Sequence, residues 1–121
     1  MDEKKRILVV EDEEAARLKL TRLLENYDFH VVGKADGKQA LEELGSNNYD
    51  LIITDLKMPQ MNGIDLLREA KKINPYLGII IVTAYGEVDT YLEAMNLGAF
   101  EYLNKPIKLE ELMRVIKKVL N

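Results

Sequence analysis

Apolar residues fall along this chain in two alternating rhythms. Short, mainly apolar runs come first in each unit: Ile7-Leu8-Val9-Val10, Val31-Val32, Leu51-Ile52-Ile53-Thr54, Ile79-Ile80-Ile81-Val82 and Phe100-Glu101-Tyr102-Leu103, the last carrying one acid. Runs without polar alternation suit strands buried on both faces of a parallel sheet. Each is followed by a stretch with helical spacing. Glu14 to Asn26 places Ala15, Leu18, Leu20, Leu23 and Leu24 on a first helix. A second runs from about Lys38 to Leu44 and is expected to stop at Gly45, a favourable C-cap. Ile64, Leu66, Leu67, Ala70 and Ile73 mark a third, which must end before Pro75. Val88 to Leu97 makes a fourth, closed by Gly98, with Leu92 and Met95 turned inward. Leu109, Leu112, Val115, Ile116 and Val119 outline the last. The pattern predicts an α/β fold: a doubly wound sandwich on a five-stranded parallel sheet, joined by right-handed crossovers.

Four of the runs end at polar groups. The first leads into Glu11-Asp12, the third into Asp55, the fourth into Thr83, and the fifth, one residue later, into Lys105-Pro106. Ligand crevices in open α/β sheets lie beyond the carboxyl ends of the strands, so these groups should converge. With strand order 2-1-3-4-5, Asp12 and Asp55 flank the point where the order reverses. Two carboxylates there repel unless a cation or proton lies between them. Oxygen ligands without His or Cys favour Mg²⁺ or a similar hard ion, and Glu11 could hold one of its waters. Asp55 could itself accept a phosphoryl group as an acyl phosphate. That transfer asks mainly for alignment and neutralised charge, which the cation, Lys105 and the Thr83 hydroxyl could supply.

Composition narrows the alternatives. The 121 residues fit one domain, spanning 1–121, with 47% apolar and 31% charged residues. A net charge of −4 gives no bulk attraction to nucleic acid or anionic membrane, and no DNA-binding element is visible. Lys4-Lys5-Arg6 reads as a solvated lead-in to the first strand. Absence of cysteine excludes disulfides and thiol chemistry. No apolar stretch approaches the ~20 residues of a membrane span and no signal-peptide core opens the chain, so a cytoplasmic protein is expected. His30, the single histidine, lies near the second strand, away from the proposed crevice.

Taken together, Glu11-Asp12-Glu13, Asp55-Leu56-Lys57-Met58-Pro59-Gln60-Met61-Asn62-Gly63, Thr83-Ala84, Gly98-Ala99 and Tyr102-Leu103-Asn104-Lys105-Pro106 resemble the receiver domain of bacterial two-component response regulators. The resemblance runs from about Arg6 to Leu120 and implies the flavodoxin/CheY-like (βα)5 sandwich. It further implies that Asp55 is phosphorylated by a sensor histidine kinase or phosphotransfer protein. Asp12 and Asp55 would hold Mg²⁺ with the backbone carbonyl of Lys57, and Glu11 would act mostly through water. Thr83 and Lys105 would bind the phosphoryl group, while Thr83 and Tyr102 would form a switch. The fourth helix, fifth strand and fifth helix would present the changed surface to a protein partner, or to a second copy on activation. Lys57 and Tyr85 occupy the positions that the family uses to tune phosphoryl lifetime, and a bulky Tyr85 suggests slow self-dephosphorylation.

Other functions of this architecture fit less well. A dehalogenase-like phosphatase needs an acid two residues after the nucleophile, where Lys57 stands. A flavin carrier wants a glycine- and hydroxyl-rich phosphate loop after the first strand, where Glu11-Asp12-Glu13-Glu14 would repel a phosphate. An inert receiver-like module would not need the complete site. Similarity of the loops to receivers fused to AAA+ activators leaves open a stand-alone regulator or one part of a longer protein.

Overall fold

A computed structural model describes residues 4–58, 60–84 and 88–121. Along the chain run β1 (Arg6–Val10), α1 (Glu14–Glu25), β2 (His30–Lys34), α2 (Gly37–Ser46), β3 (Leu51–Asp55), α3 (Gly63–Ile73), β4 (Gly78–Thr83), α4 (Val88–Asn96), β5 (Glu101–Asn104) and α5 (Leu109–Leu120). The strands form one parallel sheet in the order β2-β1-β3-β4-β5.

The apolar runs are explained by helices on both faces. Leu8, Val10, Ile52, Ile79 and Ile81 pack towards α2, α3 and α4 with Ala40, Leu44, Leu66, Leu67, Ala70 and Ala94. The alternate positions, Ile7, Val9, Leu51, Ile53, Ile80 and Val82, pack against Leu24 of α1 and Leu112, Val115 and Ile116 of α5. Since successive strand side chains point to opposite faces, a strand covered on both sides has no polar position to spare. Register then levels the strand ends: Val10 lies opposite both Lys34 and Thr54, Asp55 opposite Val82, and Thr83 opposite Asn104. The residues that follow therefore meet at one edge of the sheet.

Several helical positions differ from the sequence expectation. Gly45 does not cap α2 but lies inside it; the helix ends where Asn47 turns extended and donates its backbone N–H to Glu43 at 2.9 Å. Glu43 also receives the Asn47 side-chain amide at 3.0 Å and the Tyr49 phenol at 2.6 Å, so side chains rather than a glycine stop the helix. In α1 the inward stripe is Ala16, Leu20, Leu23 and Leu24, leaving Ala15 and Leu18 exposed. Ile73 and Leu92 are likewise exposed. Ala94 is the wholly buried residue among the described side chains of α4, and a residue two positions away is rotated about 200° from it, which turns Leu92 outward. Gly98 does close α4: at φ +104° its N–H bonds to Met95 while Ala99 N–H bonds to Ala94, the paired bonds of a Schellman motif.

Tyr49 ties α2 to the base of β3. Its ring lies 5.0 Å below the Arg6 guanidinium, and Arg6 donates to the Asn48 carbonyl at 2.8 Å. Burial first, and then the bond to the Glu43 carboxylate, push the Tyr49 phenol up to about 12, while the same bond holds Glu43 below its ordinary value. A phenol whose folded pKa exceeds its unfolded value of 10.0 contributes stability below that value, which is lost as pH rises through the folded one. Between about pH 9 and about pH 12, urea unfolding should show wild type losing roughly 2 kcal/mol more than Tyr49→Phe. Equal losses would mean that this phenol ionises normally in the folded protein.

Candidate functional site

The turn after β1 carries Glu11 and Asp12, and β3 ends on Asp55. Carboxylate oxygens of these three residues lie within 4.8 Å of one another. Into this cluster reaches Lys105, whose Nζ donates to Asp55 Oδ2 at 2.7 Å and to Glu11 Oε1 at 2.8 Å. Lys105 is held there by its own backbone N–H, which donates to the Thr83 carbonyl at 2.8 Å, and its bond to Pro106 is cis. The other oxygen of Asp55, Oδ1, accepts the Lys57 N–H at 3.2 Å. Each oxygen of the Asp55 carboxylate thus has a donor.

Glu11 is held at four atoms. Its N–H donates to Lys34 at 3.0 Å and its carbonyl accepts Arg17 Nη1 at 2.9 Å. Oε2 accepts the Glu13 N–H at 3.1 Å, and Oε1 takes Lys105. The side chain is buried, whereas Asp12 is exposed and Asp55 intermediate. The open side of the cluster therefore belongs to the two aspartates.

Three carboxylates facing one ammonium leave a formal excess of two negative charges. Burial, the largest single influence on the Lys105 ammonium, lowers its pKa, but the hydrogen bonds and charges of Asp55 and Glu11 together outweigh it and leave the group above its ordinary value. Lys105 is accordingly a cation throughout the neutral range. The remaining negative charge and all-oxygen donor set fit a hard divalent cation, for which carboxylates without His or Cys are the natural ligands.

Immediately beneath Asp55, α3 starts with no side chain in the way. A Cβ on Gly63 would stand 2.6 Å from the Asp55 carbonyl oxygen, and the Gly63 N–H donates to Leu56 at 2.7 Å. Asn62 caps the helix by accepting the Asp65 N–H at 2.9 Å. The glycine lets the helix seat against the strand end that carries Asp55. An Asn-Gly pair directly before a helical stripe is the sequence signal for this contact, although its role under Asp55 is visible only in three dimensions.

Thr83 is fully buried at the end of β4. Tyr102 is half-buried on β5, its ring meeting Tyr91 of α4 edge to face at 5.6 Å between centroids. The Lys57 side chain is exposed on the loop after β3. Tyr85 lies outside the described residues. His30 is exposed, and its N–H bonds to Lys5 at the start of β1, the end of the sheet opposite the acids. Glu11, Asp12, Asp55 and Lys105 are therefore one cluster, with Thr83 joined to it through the Lys105 backbone. Sequence reasoning did not find Arg17, because a lone arginine on a helix carries no motif.

Residues 7–117 match the family described as the response regulator receiver domain. Among curated proteins, the chain is 38% identical over 114 residues to the transcriptional regulatory protein ZraR of Escherichia coli K12, covering 94% of this chain and 26% of that protein. It is 36% identical over 120 residues to the sporulation initiation phosphotransferase F of Bacillus subtilis, covering 99% of this chain and 95% of the other. The chain thus spans about a quarter of the regulator and nearly the whole of the phosphotransferase. A solved receiver domain from Clostridium thermocellum superposes with a TM-score of 0.92 at 38% identity, covering 97% of this chain and 94% of that one. The beryllofluoride-activated NtrC4 receiver domain dimer gives 0.89 at 30% identity, covering 95% of each chain. No described helix is long and apolar enough to cross a membrane. On the strength of the family match across nearly its whole length, the chain belongs to the response regulator receiver domain family.

Proposed function

We propose that residues 1–121 act as a single receiver domain in a two-component phosphorelay, cytoplasmic, with Asp55 as the phosphoacceptor. Members of this family accept a phosphoryl group and are not turnover enzymes. The observation that carries the assignment of Asp55 is its position between Lys105 Nζ and the carboxylates of Glu11 and Asp12. The donor is a sensor histidine kinase or phosphotransfer protein. One Asp55 oxygen attacks phosphorus, the bond from phosphorus to the donor nitrogen breaks, and the electron pair leaves with the imidazole. Negative charge is shared among the phosphoryl oxygens during this transfer, so nearby positive charge is the main requirement. Asp12, Asp55 and the Lys57 carbonyl would hold Mg²⁺, which would supply part of that charge. Lys105 supplies the rest by turning from the Asp55 carboxylate to a phosphoryl oxygen. Glu11 would act on the ion mostly through water, its buried carboxylate staying with Lys105 and the Glu13 N–H.

In the switch, the Thr83 hydroxyl binds the phosphoryl group and Tyr102 repacks behind it. The output face is α4, β5 and α5, where Tyr91 packs on Tyr102 and Tyr91 and Leu92 are exposed large hydrophobic side chains. A protein partner, or a second copy on activation, would cover them; the similar NtrC4 receiver domain is a dimer in its beryllofluoride-activated form. Direct contact with nucleic acid or membrane is not part of this reading. Lys57 and Tyr85 set the lifetime of the acyl phosphate.

With Mg²⁺ and a small phosphodonor, mass spectrometry should show wild type gaining one phosphoryl group and Asp55→Asn gaining none. Asp12→Ala should keep its fold and bind Mg²⁺ roughly tenfold or more weakly; unchanged affinity would remove Asp12 from the metal site. Once the donor is removed, the acyl phosphate should persist for minutes or longer, and loss within seconds at room temperature would refute the lifetime role given to Tyr85 and Lys57.

A further inference from the structure

The turn that carries Glu11 and Asp12 is braced from behind. Arg17, one turn into α1, sends Nη1 to the Glu11 carbonyl at 2.9 Å, on the backbone that joins the two acids. The same turn is fixed on its other side by the Glu11 N–H bond to Lys34 of β2 at 3.0 Å. To reach the carbonyl, the arginine stem crosses β2 at Gly33. A Cβ on Gly33 would stand 3.1 Å from Arg17 Cγ, 3.3 Å from Arg17 Cδ and 3.3 Å from Thr21 Oγ1. That is tighter than ordinary side-chain contact, and Arg17 cannot easily yield. Its own backbone is fixed from both sides, by its N–H to Glu13 at 2.9 Å and by the Thr21 hydroxyl donating to its carbonyl at 2.7 Å.

We infer that Arg17 is a positioning residue for the divalent-cation site and that Gly33 exists in β2 to let its stem pass. The inference rests on the metal-binding reading above and adds to it the residue that aims Asp12. Asp12 is exposed and no hydrogen bond ties its carboxylate among the described contacts, so its direction is inherited from the backbone before it. Fixing that backbone prepares the ligand before the ion arrives. Groups that orient metal ligands from outside are worth roughly 10- to 100-fold in affinity.

The charge of Arg17 acts in the opposite sense from its hydrogen bond. A guanidinium near the site repels Mg²⁺, so losing it would strengthen binding if charge alone mattered. Arg17→Lys keeps the charge but loses the planar fork and the reach of the guanidinium. Arg17→Met keeps an apolar stem and removes both charge and donor. Gly33→Val alters neither charge nor donor and obstructs the stem, crowding Thr21 Oγ1 as well.

The test is Mg²⁺ titration of the full chain by amide NMR, with the metal-free spectra of Glu11 to Glu13 as a second readout. All three variants should bind Mg²⁺ roughly tenfold more weakly and shift the Glu11–Glu13 amides before any metal is added. Arg17→Met combined with Gly33→Val should be no worse than Arg17→Met, because both act through one contact. Variants within twofold of wild type, or tighter binding by Arg17→Met, would overturn the positioning role while leaving the metal site standing. Absence of any Mg²⁺ response in wild type would overturn both.

Discussion

One ammonium holds the functional edge of this molecule together. Lys105 lies between Asp55 and Glu11 at hydrogen-bonding distance from each, and without it three carboxylates would crowd one side of the sheet. The ion pair is possible only because β1, β3, β4 and β5 end level with one another. That levelling follows from the two apolar layers that bury the strands on both faces. A shift of one residue in any strand would exchange its layers and drive buried aliphatics against the wrong helices. Packing thus sets the register, and the register sets the acidic cluster and its lysine.

The two acids after β1 divide their labour by burial. Glu11 has its backbone and both carboxylate oxygens engaged, so it behaves as a fixed charge and an anchor for Lys105. Asp12, by contrast, is exposed. Asp55 stands between these extremes, half-buried with one donor on each oxygen. A carboxylate in that setting is oriented without being sealed off. The opposing pulls on Lys105, burial against two carboxylates, resolve in favour of the charged form.

Most of this was legible in the sequence because it rests on periodicity. The unbroken runs at Ile7, Leu51 and Ile79 announced strands covered on both faces, and the polar residues after them announced the crevice. Gly98 was readable as a helix stop because a positive φ favours glycine. Gly45 was misleading for the complementary reason: it occupies an ordinary helical position, and Glu43 with its partners Asn47 and Tyr49 decides where α2 ends. Leu18, Ile73 and Leu92 fit a helical stripe by type but are exposed, since spacing alone cannot say which of two overlapping stripes meets the sheet. Arg17 and Gly33 carried no local signal at all; their link joins a helix to a neighbouring strand and exists only after folding.

The central claim is that Lys105 exchanges the Asp55 carboxylate for the group that Asp55 acquires. A crystal structure of the chain with Mg²⁺ and beryllofluoride tests it most directly. The account requires beryllium on an Asp55 oxygen, the metal bound by Asp12 and Asp55, and Lys105 Nζ on a fluorine. Beryllofluoride bound elsewhere, or Lys105 still paired with an unmodified Asp55 while the ligand is present, would contradict it.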